Sequence, residues 1–174
     1  MVQQLILLGF LLKNKMHGYQ LNEHVRHAMG LYTDLKKATA YYALEKLEKD
    51  GYVQQRVERE GKRPERHVYQ ITQKGRTYFL DLLREHLGRY TRTYYADDVC
   101  ISYKDELSPA EVSQLLANKR EKIQKLIQQF RKHPEHGKNW HYVVSHNMAH
   151  LKAELSWINQ ILEDIERRSN NHGE

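Results

Sequence analysis

The sequence predicts a mainly α-helical protein with one small β-hairpin, a short-helix first half and a long-helix second half. Three observations predict it. Apolar residues recur at helical spacing through most of the chain. The one switch to period two falls at Tyr52–Arg59 (YVQQRVER) and Arg66–Ile71 (RHVYQI), on either side of the turn EGKRPE. Residues 138–167 carry an uninterrupted a/d seam. At 174 residues the chain has length for one domain or two small ones with a real core.

The first half opens with an apolar helix over Val2–Lys13, broken at Asn14-Lys15. Its run LILLGFLL is far short of the ~20 residues of a membrane span, and neither a charged n-region nor a cleavage site accompanies it. It reads as a buried helix of a cytoplasmic protein. A second helix starts near Gly18, lines its inner face with Leu21 and Val25, and closes at Gly30. A third spans Lys37–Asp50, with Gly51 as its stop. Tyr41, Leu44 and Leu47 form its apolar stripe, which Ala40 widens; Lys37, Thr39, Tyr42, Lys46 and Lys49 lie opposite. The hairpin follows, stiffened by Pro64 at a turn that Gly61 permits. Thr72 then caps a long helix to about Tyr90. Three helices, a two-stranded hairpin and a helix give the order of a winged helix-turn-helix domain over residues 1–90.

Residues 91–174 read as helical arms. A short helix is expected around Asp97–Tyr103, and Ser108-Pro109 starts a helix that stops before Pro134. The last helix covers Lys138–Arg167, its seam formed by Val144, Met148, Leu151, Leu155, Ile158, Leu162 and Ile165. The preceding helix has a matching seam with Lys119 in one slot. Two seams invite an antiparallel helical hairpin. Leu115, Ile127, Trp140, Val143, Trp157 and Ile161 lie off the seams, and one hairpin cannot bury them all. A second copy of the chain is the simplest cover, so the arms are expected to dimerise through the last helix.

Charge sharpens the reading. The net charge is +6. Residues 1–75 hold 13 Lys/Arg and 8 Asp/Glu, leaving +1 for the rest. Ordinary solubility charge explains such a total equally well. The hairpin tip is more specific, because Arg59, Lys62, Arg63 and Arg66 bracket one turn. Like charges this close repel, and a polyanion relieves them while counterions are released. A winged helix puts its third helix in the major groove and its wing beside the backbone. The candidate DNA-binding residues are therefore Lys36, Lys37, Thr39, Ala40, Tyr42 and Lys46 on the helix, and Arg59, Lys62, Arg63 and Arg66 on the wing. Taken alone, the helix face is equally an ordinary solvated surface.

Three stretches carry a family resemblance: LLGFLLKNKMHGYQL (Leu7–Leu21), TAYYALEKLEKDGYV (Thr39–Val53) and GKRPERHVYQITQKG (Gly61–Gly75). In this order and at these spacings the first half resembles the PadR family of bacterial transcriptional regulators. The second half resembles the helical dimerisation region of its longer members, through LSPAE (Leu107–Glu111) and HLKAELSWI (His150–Ile158). The resemblance implies a homodimer on a roughly palindromic operator, usually a repressor. It assigns Thr39, Tyr41 and Tyr42 to the recognition helix and Lys62–Arg66 to the wing, with Tyr41 supporting the helix. Ala40 is smaller than the residue common there, and Tyr42 stands for a common Pro, so the operator sequence does not follow. An aromatic effector is also implied, with Tyr90, Tyr94 and Trp140 as candidates, and Tyr95 and Trp157 beside them.

Other chemistries find little support. The only cysteine, Cys100, allows neither an intrachain disulfide nor a cysteine zinc site. His146/His150 and His24/His27 have helical spacing for two metal ligands, but polar surface explains them as well, and neither metal nor cofactor is expected. No nucleophile elbow, HExxH, P-loop or dinucleotide-binding glycine pattern occurs, so no enzyme is expected. A protein-only dimeric adaptor would leave the wing charges unexplained.

Overall fold

A computed structural model of the chain describes residues 2–12, 15–17, 20–21, 23, 35–58, 66–132 and 138–171. It is mainly helical with one small antiparallel sheet, as the periodicity predicts. Two compact units result, Met1–Thr91 and Arg92–Glu174. Most of the expected second helix and the hairpin tip, 59–65, lie outside the described residues.

In the first unit, α1 (Val2–Leu11) is followed by β1 (Met16–His17), α2 (Lys37–Lys49), β2 (Val53–Glu58), β3 (Arg66–Ile71) and α3 (Gln73–Gly88). The helix expected third in the sequence is thus α2. β3 is the central strand of the order β1-β3-β2. Val53 pairs with Ile71 and Glu58 with Arg66 across the hairpin, while Met16 and His17 pair with Tyr69 and Val68. Two residues are too few to show a period, which is why β1 is absent from the sequence reading. Leu7, Leu8 and Leu11 of α1, Leu44 and Leu47 of α2, Val53, Ile71 and Leu82 form the buried core.

The end of α2 is closed by a Schellman arrangement. Gly51 has φ of 74°. Its N–H donates to Glu48 O, and that of Tyr52 donates to Leu47 O, both at 2.9 Å. The chain then runs against the start of α3. Thr72 caps that helix by accepting from Gly75 N at 3.0 Å, and its hydroxyl lies 2.8 Å from Gly51 O, to which it donates. The Thr72 N–H donates to Tyr52 O at 3.0 Å. Tyr52 stacks on Tyr78 at 4.1 Å between ring centres, and Lys74 reaches Asp50 O at 2.8 Å. A Cβ on Gly75 would stand 2.0 Å from Tyr52 O.

In the second unit, α4 (Ala96–Ser102) and a 3-10 turn (Lys104–Glu106) precede α5 (Pro109–Lys132) and α6 (Trp140–Asn171). Ser108 caps α5 by accepting from Glu111 N at 3.3 Å. The 24 residues of α5 make a rod of about 36 Å. The seven residues between α5 and α6 reach at most about 25 Å, so the two helices run antiparallel. Ile123, Ile127, Ile158 and Leu162 form their buried core, with Met148, Leu151 and Leu155 packed against it. The two matching seams thus meet within one chain, as the helical hairpin read from the sequence requires. An a/d stripe turns toward whichever helix is nearest, and here that is α5 of the same chain.

The glycine positions give a graded test. Gly75→Ala should destabilise the first unit by about 1–3 kcal/mol or more, since backbone stands where the methyl must go. Gly51→Ala should cost about 1 kcal/mol for its left-handed conformation. Gly88→Ala, with nothing within 4 Å of the added carbon, should be neutral or stabilising by up to about 1 kcal/mol. Urea denaturation of the three variants checks the order.

Candidate nucleic-acid interface

α2 presents two faces. Ala40, Ala43, Leu44 and Leu47 are buried. Lys36, just before the helix, and Lys37, Thr39, Tyr42 and Lys46 are exposed, Tyr42 by 71%. The helix has neither a side-chain cap nor an acidic residue in its first turn, so its own first turn leaves the positive N-terminal end uncompensated. Ala40, expected among the DNA-contacting residues, is only 5% exposed. It is a core residue directly behind the exposed face. Tyr41 is half-buried, with the Lys37 ammonium 5.9 Å from its ring centre.

The helix is coupled to the hairpin through Gln55. With its amide nitrogen toward α2, Gln55 donates to both Glu48 carboxylate oxygens, at 3.1 and 3.2 Å, and its oxygen accepts from His67 Nδ1. Sequence reading missed this link, because Gln55 and His67 look like two polar strand residues. Beneath it, burial and then the charge of Glu48 push the Tyr69 hydroxyl above its usual range, keeping it a neutral packed aromatic. The register sets Glu58 opposite Arg66. Arg59, Lys62 and Arg63 fall on residues 59–65, outside the described residues.

The effector candidates fall in both units. Tyr90 belongs to the first unit, while Tyr94 and Trp140 belong to the second. Tyr90 and Tyr94 are exposed and Trp140 is buried. The second unit instead brings Tyr95 and Trp157 to one cleft of about 440 Å³, together with Asp97, Asp98, Leu151 and Glu154. Lys119 ties its sides together, bonding Asp97 at 2.6 Å and also Glu154, with its ammonium 5.4 Å from the Trp157 ring centre. The signal for it in the sequence was the charged slot in the α5 seam. His146 and His150 meet with their Nε2 atoms 3.1 Å apart. Among the described residues, no group of three or more His, Cys, Asp or Glu could hold a metal ion. His24 and His27 lie outside the described residues.

A two-sided helix beside a hairpin, on a three-helix core with a capped α3, is the architecture of winged-helix DNA-binding regulators. Residues 7–81 match the transcriptional regulator PadR-like family. Among solved structures, Bacillus subtilis PadR in complex with operator DNA is 22% identical at a TM-score of 0.78, covering 95% of this chain and 99% of that one. The same protein in complex with p-coumaric acid gives 22% and 0.75 over 95% and 99%. The Vibrio cholerae virulence activator AphA gives 18% and 0.75, again over 95% and 99%. At these identities the likeness shows a shared fold. No curated protein matches the sequence. Among the described residues no helix is long and apolar enough to cross a membrane.

Lys119 supplies a pH test. Burial opposes its charge, but the hydrogen bonds it donates to Asp97 and Glu154 outweigh that, and its pKa is raised above the usual lysine value. A raised pKa stabilises the fold fully below the unfolded value and is lost as pH rises through the folded one. The stability difference between wild type and Lys119→Met should therefore be flat below about pH 10 and shrink above it. Denaturant melts of both proteins between about pH 8 and 12 measure it.

Proposed function

We propose that the protein is a homodimeric, sequence-specific DNA-binding regulator that represses from a roughly palindromic operator and is released by a small aromatic effector. The observation that carries the reading is the division of α2 into a buried apolar face and an exposed face of Lys36, Lys37, Thr39, Tyr42 and Lys46. In a unit of PadR-like family that face enters the major groove, where Lys and Thr bond base edges or phosphates and Tyr42 bonds phosphate. Arg59, Lys62, Arg63 and Arg66 grip the adjacent backbone. Two copies place their reading helices about 34–36 Å apart, on successive turns of one DNA face. The work is binding rather than catalysis, and it belongs in the cytoplasm with the DNA.

The Bacillus subtilis relative, bound to operator DNA in one crystal and p-coumaric acid in another, supports both halves of the proposal. The Vibrio cholerae relative is named an activator, so the fold serves either sign of regulation. Repression is the simpler mechanism here, since occupying an operator needs no further contact with the transcription machinery. For the effector, the cleft at Tyr95 and Trp157 within the second unit is the formed site that supports the reading. For the dimer, Leu115 and Val143 remain 53% and 36% exposed, in keeping with a second copy as their cover.

The direct test is binding to DNA from upstream of the protein's own gene against unrelated DNA, over a salt series. Preference with a steep salt slope is expected. A folded dimer showing no salt-dependent binding to either would favour a protein-only adaptor. Arg63→Ala should weaken binding to all sequences and reduce the salt slope by about one. Thr39→Ala should shift sequence preference while changing stability by no more than about 0.5 kcal/mol, because its side chain stands free of the core.

Leu155 also packs in the hairpin, so the dimer is better probed at exposed positions. Leu115→Asp and Val143→Asp should each weaken self-association by about 30-fold or more, read by sedimentation, with helicity retained. Unchanged dimers in both variants would place the interface elsewhere.

A further inference from the structure

We propose that the cleft between α4 and α6 of the second unit selects an aromatic organic cation over an aromatic carboxylate. Only the consequence for DNA binding rests on the effector reading above; the selectivity follows from the cleft itself. Its volume of about 440 Å³ lies in the range that holds a small molecule. Tyr95, Leu151 and Trp157 give it aromatic and apolar walls, and Asp97, Asp98 and Glu154 supply its charge.

The charges decide the class of ligand. Three carboxylates stand against one ammonium, that of Lys119, which leaves a net charge of −2. Lys119 is already committed: Asp97 and Glu154 engage two of its three N–H groups. Little donor capacity remains for an incoming carboxylate, which would add a fourth negative charge. Asp98 has no ion-pair partner among the described residues and is free to meet a ligand's ammonium. The Trp157 indole already holds one cation near its face, and Tyr95 offers a second ring on the same cleft, so the walls suit a cation as well as an aromatic group.

The experiment compares two probes that share a phenol ring, tyramine as the cation and p-coumarate as the anion. Each is titrated calorimetrically into the full-length protein near pH 8, where a phenethylamine ammonium is charged and a carboxylic acid is ionised. Tyramine should bind at least about tenfold more tightly. Asp98→Asn lies on an exposed turn and leaves the Lys119 bonds intact, so it should fold normally by circular dichroism. It should lower the tyramine preference by about tenfold, and Trp157→Leu should weaken tyramine binding. Equal or stronger binding of p-coumarate, no binding of either probe, or a preference untouched by Asp98→Asn would overturn the proposal. If tyramine binds with the expected preference yet never releases operator DNA, the cleft's selectivity stands and the effector role fails.

Discussion

The placing of the exposed face of α2 beside the hairpin depends on one close crossing of two backbones. The chain leaves α2 through a left-handed Gly51 and passes Tyr52 over the first turn of α3, where Gly75 leaves no room for a side chain. Thr72 bonds both carbonyls at that crossing, Gly51 through its hydroxyl and Tyr52 through its N–H. The end of the reading helix, the start of β2 and the start of α3 are thereby held at one point. The angle between α2 and the hairpin is set by residues 51–52 and 72–75, none of which belongs to the exposed face. Lys37, Thr39 and Tyr42 are consequently free to vary without changing the scaffold, as the proposed reading of different DNA sequences requires.

Much of this was legible in the sequence, for identifiable reasons. Gly51 as a stop and Thr72 as a cap are local devices, readable from residues within one helical turn. The strand pair was legible because period two stands out between helical segments. Gly75 was not, since a glycine inside a helix looks like weak propensity until the carbonyl that needs the space is known. β1 was too short to show a pattern. The link from Glu48 through Gln55 to His67 depends on tertiary approach, which no spacing rule reports. Ala40 shows the converse difficulty: one position served both the stripe and the reading list, and its burial decides for the stripe.

The second unit teaches a different lesson about periodicity. The α6 seam established that this helix packs along its whole length but left its partner open. In the structure α5 takes Ile158 and Leu162. Lys119 then interrupts the apolar stripe where α4 arrives with Asp97 and α6 offers Glu154. A lone ammonium in an apolar seam would be costly, but two carboxylates compensate it, and the raised pKa of Lys119 records the balance. A charged residue in a heptad slot therefore marks where a third element joins a two-helix seam. That junction is also where the cleft forms, lined by Tyr95, Asp97 and Asp98 on one side and by α6 on the other.

The charges of the proposed interface argue that one copy binds weakly. Over residues 36–49, Lys36, Lys37, Lys46 and Lys49 are set against Glu45 and Glu48, a balance of +2. Over residues 58–66 of the sequence, Arg59, Lys62, Arg63 and Arg66 are set against Glu58, Glu60 and Glu65, a balance of +1. Three net charges release few counterions, and non-specific affinity rises with the number of phosphates neutralised. Joining two such surfaces turns the second binding step into an intramolecular one, which strengthens the whole without any new contact, but only when both surfaces reach their half-sites together. Weak halves thus make operator affinity depend on the spacing between two reading helices. A ligand that prefers one spacing shifts that affinity by its difference in binding free energy between the two states, and it need not touch a single DNA-binding residue.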